Sequence, residues 1–436
     1  MSATDMTIEG RGGSEVIIHE PEMEQMLRAA MDAWGIHRGR VLILGPDFTR
    51  FHSAAGKLTS MLYKMIEDRC HVDVLPCLGT HVPMSDEELD LMYPGIPRER
   101  IITHNWRTET VTLGSVPSDY IEDLSEGKLN FEMNVEVNRR LVEGDYDPII
   151  SIGQVVPHEV IGMANHLKNV FVGAGGRDML NKTHYLGAVY GMERMMGRIQ
   201  TPVRRVMDYA RAAFFKEAPL RWIQTVIGRD EREGLVMRGM FLGHGRKPFI
   251  DAAKLSQQVN LDLLDRPLQK CVVYLDPAEF KSTWLGNKAI YRSRMAMADQ
   301  GELLVLAPGV KTFGEDEQID VRIRKYGYRG TPQTLQMVEA HPELKDNLAA
   351  AAHLIHGSSE GRFRITYAPG GLSREEVEGV GFDYADPEAM LKRYDPQRLV
   401  DGWNHVDGEE IFYISNPGLG LWANAADFEP DEGEAD

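Results

Sequence analysis

An α/β fold with mostly parallel sheets, divided into two domains, is what this sequence predicts, and three observations predict it. Short apolar runs recur along the chain and several end at glycine, proline or a polar residue. Segments with helical spacing of apolar residues lie between them. Buried strands alternating with helices are the pattern of a parallel sheet covered on both faces. The chain has 436 residues, too many for one ordinary hydrophobic core, so two domains are expected.

The elements follow in order. "RVLILGPDFTR" is apolar until it turns polar at Asp47–Arg50. "AAGKLTSMLYKMIEDR" has helical spacing. "CHVDVLPCLGTH" is a second strand run, ending at His81. "SDEELDLMY" opens with Ser85 and Glu88 in capping-box spacing, which starts a helix. "PIISIGQVVPHEV" ends at His158, and the apolar "NVFVGAGG" follows. The region 190–245 reads as helix with few strand signals, and "GHGRKPFID" at 243–251 reads as a linker. A second set of strands then begins with "CVVYLD", "ELLVLAPG", "RFRITYAPGG" and "EIFYISNPG". The domains are therefore placed at 1–265 and 266–436, with an acidic disordered tail from about 427.

Forty-eight basic against sixty-six acidic residues give a formal charge of -18, which argues against a nucleic-acid or anionic-membrane surface. Cys70, Cys77 and Cys271 form no CxxC pair and no even framework, which fits a reducing compartment and buried thiols. The first residues show no charged region followed by an apolar stretch, and no apolar run is long enough to span a bilayer. A cytoplasmic location is the expectation.

Asp47, Arg50, His81 and His158 all fall just after apolar runs. In parallel sheets ligands sit at the carboxyl ends of the strands, so this shared placement is the first sign of function. Asp47 alone is equally what a helix N-cap looks like. Arg50 beside it has a planar fork suited to a carboxylate or phosphate. His81 follows Gly79, and histidine is the residue type that most naturally accepts a proton there. Lys168 follows His158 by ten residues and precedes His184 by sixteen, within a glycine-broken apolar stretch. A desolvated lysine has a lowered pKa and a nucleophilic amine. His184 has the residue type of a metal ligand. His166 reads as structural. "GAGG" at 173–176 lacks the residues of a phosphate loop. Lys288, in "STWLGNKAIYRSRM", sits near a helix start.

Taken together these residues resemble the lactate racemase family, the nickel-pincer-nucleotide enzymes. "DFTR" is similar to the family's Asp-x-Thr-Arg, "GTHVPMSDEE" to its Gly-Thr-His-Arg-Pro segment and "PHEVIG" to its Pro-His-x-x-x-Gly. Lys168, His184 and Lys288 fall at the family's spacings. The likeness spans roughly residues 40–310. It implies two α/β domains with an active-site cleft between them. It also implies a pyridinium-3-thioamide-5-thiocarboxylic acid mononucleotide carrying nickel, made by separate cofactor-biosynthesis enzymes. By the resemblance Lys168 tethers that nucleotide covalently, His184 binds the nickel, and Asp47 and Thr49 contact the cofactor. His81 and His158 are the paired bases. Arg50, Lys288 and Trp284 hold a small 2-hydroxy acid, which is racemised or epimerised at C2 by a hydride that leaves and returns to the other face.

The chain departs from the family at several points. Ala164–His166 stands where Ser-Gly-Gly is usual, Val82 follows His81 in place of arginine, and Trp284-Leu285 replaces a Tyr-Gln pair. These changes leave the cofactor residues in place and alter the substrate end. Two other readings stay open. One is a zinc lyase or hydrolase on the same histidines. The other is a cofactor-binding paralogue without turnover.

Overall fold

The computed structural model describes residues 10–79, 81–429 and 431. The segment read as free of a signal peptide falls mostly outside these residues, as does Thr80. The chain forms two compact units. One takes the chain up to Thr183 with Gly197–Val259 and Asp431, and the other takes His184–Met196 and the chain from Asn260 through Glu429.

The first unit is built on a six-stranded sheet. In spatial order its strands are Arg11–Gly12, Gly234–Gly243, Leu220–Asp230, Ile149–Gln154, Gly39–Gly45 and Cys70–Pro76. The last four are mutually parallel, with Ile43 opposite Val74 and Ile150. Val41, Ile43, Val72 and Val74 are fully or almost fully buried, because helices lie on the sheet and such strands need no polar face. The helix Ala55–Ile66 presents Leu58, Leu62 and Ile66 to that core. The helix Asp86–Met92 begins at the expected capping box, with Ser85 and Glu88 each bonding the other's backbone.

The second unit repeats the plan. Its strands run Asp383–Tyr384, Arg364–Pro369, Met297–Ala307, Leu268–Tyr274, Glu409–Ile414 and Gly402–Val406, all parallel except the last. The fold is thus mixed α/β with mostly parallel sheets.

Three local readings differ from the structure. The region 190–245 is helical only in part: Leu220–Asp230 and Gly234–Gly243 form a long antiparallel hairpin. "WIQTVI" carries the β-branched and aromatic residues that a strand favours, and Trp222, Ile223, Val226 and Ile227 are buried. The presumed linker at 243–251 is the start of the helix Lys247–Val259. The apolar run "NVFVGAGG" is no strand either. Asn169–Gly173 forms a wide helical turn closed by Ala174 N donating to Asn169 O at 2.7 Å. At the acidic end Phe428 is buried, and the Asp431 carboxylate accepts from the Ile199 and Gln200 amides at 2.7 and 2.5 Å. The remainder, 432–436, lies outside the described residues.

Candidate active site

Gly39–Gly45, Cys70–Pro76 and Ile149–Gln154 are adjacent parallel strands, so their carboxyl ends share one edge of the sheet. Asp47, His81 and His158 stand in the three chain segments leaving that edge. The first unit therefore gathers candidates that are far apart in sequence.

Asp47 sits in extended backbone before the short turn Phe48–Ser53. Its buried carboxylate accepts from Thr49 Oγ1 at 2.5 Å and pairs with Nδ1 of His81. Burial pushes the Asp47 carboxyl up, but the hydrogen bond and charge of His81, then Thr49 and Arg50, outweigh it and hold it below the ordinary value. An ionised Asp47 fixes the proton of a neutral His81 on Nδ1. The other ring nitrogen, Nε2, then keeps its lone pair on a half-exposed side chain. That is the arrangement of a general base oriented by a carboxylate.

His158 is set up the other way. It is buried, and its Nδ1 accepts from the Val160 amide at 3.1 Å. A backbone amide can only donate, so the neutral ring carries its proton on Nε2 and presents a donor. Glu159 Oε2 stands 3.7 Å from the same Nδ1.

Lys168 begins the Asn169–Gly173 turn. Part of its surface still reaches solvent, but protein packs densely around it. Desolvation first, and then the charge of Arg50, lower its pKa to about 8 against the opposing pull of Glu159, Cys77 and Asp47. Roughly a tenth of such amines are neutral at pH 7, against about one in three thousand for an ordinary lysine. Among the described residues its ammonium has no ion-pair partner. Burial pushes the neighbouring Cys77 thiol up to about 12, so the cysteine is no competing nucleophile. A desolvated, partly neutral primary amine is the donor a covalent nucleotide tether requires.

His166 is fully packed against Trp222 and Phe249, with ring centroids 4.0 and 5.2 Å away, and donates from Nε2 to Gly245 O at 3.1 Å. Burial and then the nearby Arg204 hold its pKa well below the ordinary value. The structural reading of His166 agrees with this placement.

His184, Trp284 and Lys288 belong to the second unit. His184 lies on the helix Arg177–Tyr190. Trp284 lies on the turn Thr283–Gly286, whose cap Ser282 accepts from Leu285 N at 3.4 Å. Lys288 opens the helix Lys288–Ser293, with Nζ 3.8 Å from Glu279 Oε1 and over the Phe280 ring. The Trp284 ring rests on buried His353 at 4.3 Å. His353 Nε2 is 2.9 Å from Tyr328 OH, which is 2.9 Å from Thr283 Oγ1. Sequence reasoning passed over His353 because a histidine in "LAAAAHLIH" reads as an ordinary helix residue. It passed over Glu159, Asn165 and Asn169 because their partners are remote or positional. Among the described residues no group of three or more His, Cys, Asp or Glu side chains is arranged to hold a metal ion. No helix of the described residues is long and apolar enough to cross a membrane.

Residues 17–196 match the model of the lactate racemase N-terminal domain. The chain is similar to the crystal structure of a protein from Thermotoga maritima, with a TM-score of 0.79 and 25% identity over 94% of this chain and 99% of that one. It is also similar to the lactate racemase apoprotein from Thermoanaerobacterium thermosaccharolyticum, with a TM-score of 0.65 and 17% identity over 92% of each. At that identity the second likeness shows the fold. No curated protein matches the chain.

Proposed function

We propose that this lactate racemase-like chain inverts C2 of a 2-hydroxy acid, using a nickel-pincer nucleotide tethered to Lys168. The single observation that carries the reading is the desolvated Lys168 amine in the same unit as the carboxylate-oriented His81. When bound, the nucleotide supplies the acceptor and donor of the C2 hydride.

The chain's own residues do the rest. His81 Nε2 takes the hydroxyl proton of one stereoisomer, and Asp47 stabilises the imidazolium that results. His158 presents Nε2–H to the substrate oxygen. To act as base for the other stereoisomer it must move its proton to Nδ1, where Glu159 is the nearby acceptor. Arg50 would hold the substrate carboxylate with its bidentate fork, and the family resemblance assigns Lys288 to the substrate as well. By the resemblance Trp284 would stand as an apolar wall where the family has a tyrosine, and Leu285 would remove the hydrogen bond of a glutamine. A longer aliphatic or aromatic 2-hydroxy acid fits that wall better than lactate, and a sugar acid is the second class to test. His184 would supply a ligand to the nickel.

The experiment is to incubate protein from a cofactor-producing cell with single stereoisomers of lactate, 2-hydroxybutyrate, phenyllactate, malate, gluconate and mannonate. The C2 epimer is followed by chiral chromatography. Substrate deuterated at C2 is expected to keep its label in the product, because the hydride returns without meeting water. Washout of the label into solvent would replace the hydride reading with a carbanion. His184→Ala is expected to lower nickel retention severalfold to a hundredfold with an unchanged melting temperature, and equal nickel content in both proteins would remove His184 from the metal site.

A further inference from the structure

We infer that Asn165, anchored by a buried amide ladder, is the positioning residue that sets the pose of Lys168. The inference rests on Lys168 being the tethering residue.

Asn165 and His166 are consecutive residues with positive φ, +70° and +60°. Side chains avoid this region, and asparagine is among the few residues that tolerate it. At Ala164–His166, glycine would have adopted this backbone freely. A chain that places two side chains there must hold the turn by other means.

The means are on both sides of Lys168. The Asn165 side-chain carbonyl accepts from Asn169 Nδ2 at 2.5 Å, which staples the residues on either side of the lysine. Asn169 Nδ2 also reaches Ser151 Oγ at 3.0 Å. On its other side Asn165 donates from Nδ2 to Gln224 Oε1 at 3.1 Å. Ser151 and Gln224 lie on neighbouring strands of the central sheet, so the ladder fastens the turn to two paired strands. The strand residue Gly153 makes room for it: a Cβ there would stand 2.8 Å from Asn165 Oδ1. The Asn165 backbone takes part as well, its carbonyl accepting from Lys168 N at 3.4 Å and from Arg204 Nη1 at 3.5 Å. Asn165 is almost fully buried and its bond to Gln224 is buried, while those of Asn169 are part-buried, so losing Asn165's partners would leave a buried amide unsatisfied.

The consequence is a lysine whose backbone is tied on both sides to the strands beneath it. The charged groups that act on it are Arg50, Glu159 and Asp47, with the thiol of Cys77. Their effect depends on the turn staying where the ladder puts it. Glycine at 165 would satisfy the positive φ and remove the ladder, which separates conformational permissiveness from anchoring.

The test is competitive labelling of the full chain with acetic anhydride across pH, read as the midpoint for the Lys168 peptide by mass spectrometry, with melting temperature in parallel. The parent midpoint is expected near 8. Asn165→Gly and Asn169→Ala are each expected to raise it by about one pH unit, an approximately tenfold fall in the neutral amine at pH 7, while a cooperative melt is kept. Parent-like midpoints in folded variants would overturn the inference. Should Asn165→Gly fail to fold, Asn169→Ala decides alone, since its own backbone needs no positive φ. Peptide mapping of parent protein from a cofactor-producing cell keeps the two ideas apart: unmodified Lys168 there removes the tether and leaves the midpoint comparison standing.

Discussion

Lys168→Ala is expected to lose both the covalent nucleotide and all detectable epimerisation, while the protein stays folded. Alanine offers no amine. Lys168→Arg is expected to fail in the same way, because a guanidinium stays protonated and is no nucleophile at neutral pH. Folding should not suffer, because the wild-type residue is a poorly solvated cation with no ion-pair partner among the described residues. The pH dependence of stability tests the same environment. The folded pKa of about 8 lies below that of an unfolded lysine, so between those two values the unfolded chain binds more protons. Stability therefore rises with pH across that window, and the destabilising effect is full below it. Lys168→Met removes this contribution to the slope. Intact mass, a chiral assay and melting curves from pH 6 to 10 read all three expectations. A nucleotide adduct on another residue in Lys168→Ala would refute the tether.

Asp47→Asn is expected to lower turnover by roughly a hundredfold to ten-thousandfold with covalent loading unchanged, the range lost when a positioned acid–base group fails. The amide cannot stabilise the imidazolium of His81 and can impose the wrong tautomer by donating to Nδ1. The carboxylate also contributes to stability with a defined sign. Its folded pKa is depressed, so the contribution is present above the ordinary aspartate value near 4 and is lost as pH falls through the lower folded value. Asp47→Asn should flatten that acid limb. A mutant that keeps parental turnover at full loading would show that His81 is not the base Asp47 orients.

The two histidines on this sheet edge differ in a way that bears on catalysis. His81 is oriented by a carboxylate and His158 by a backbone amide, so one is ready to accept a proton and the other to donate a hydrogen bond.

Much of this was legible in the sequence, because its signals are local. Parallel strands buried on both faces are continuous apolar runs, so "RVLILG" and "CVVYLD" declare themselves. A capping box needs only Ser85 and Glu88 three residues apart. A polar residue after an apolar run marks a strand's carboxyl end, which is how Asp47, His81 and His158 were found before their strands were known to be neighbours. The hairpin at Leu220–Gly243 was missed because its apolar residues follow no clear alternation, being buried on both faces in a sheet. Other features depend on distance in the chain. The partnership of Asp47 with His81 spans 34 residues, and that of Asn165 with Gln224 spans 59. Trp284 meets His353 across an entire strand and several helices. Such pairs leave no periodic trace, since a hydrogen bond constrains two side chains and not the residues between them. The amino-acid order by itself determined the α/β class, the strand ends and the residue types of the site. Only the tertiary structure decided which histidine accepts, how far Lys168 is desolvated, and that an asparagine ladder holds the turn, because tautomer, desolvation and anchoring are properties of surroundings assembled from remote parts of the chain.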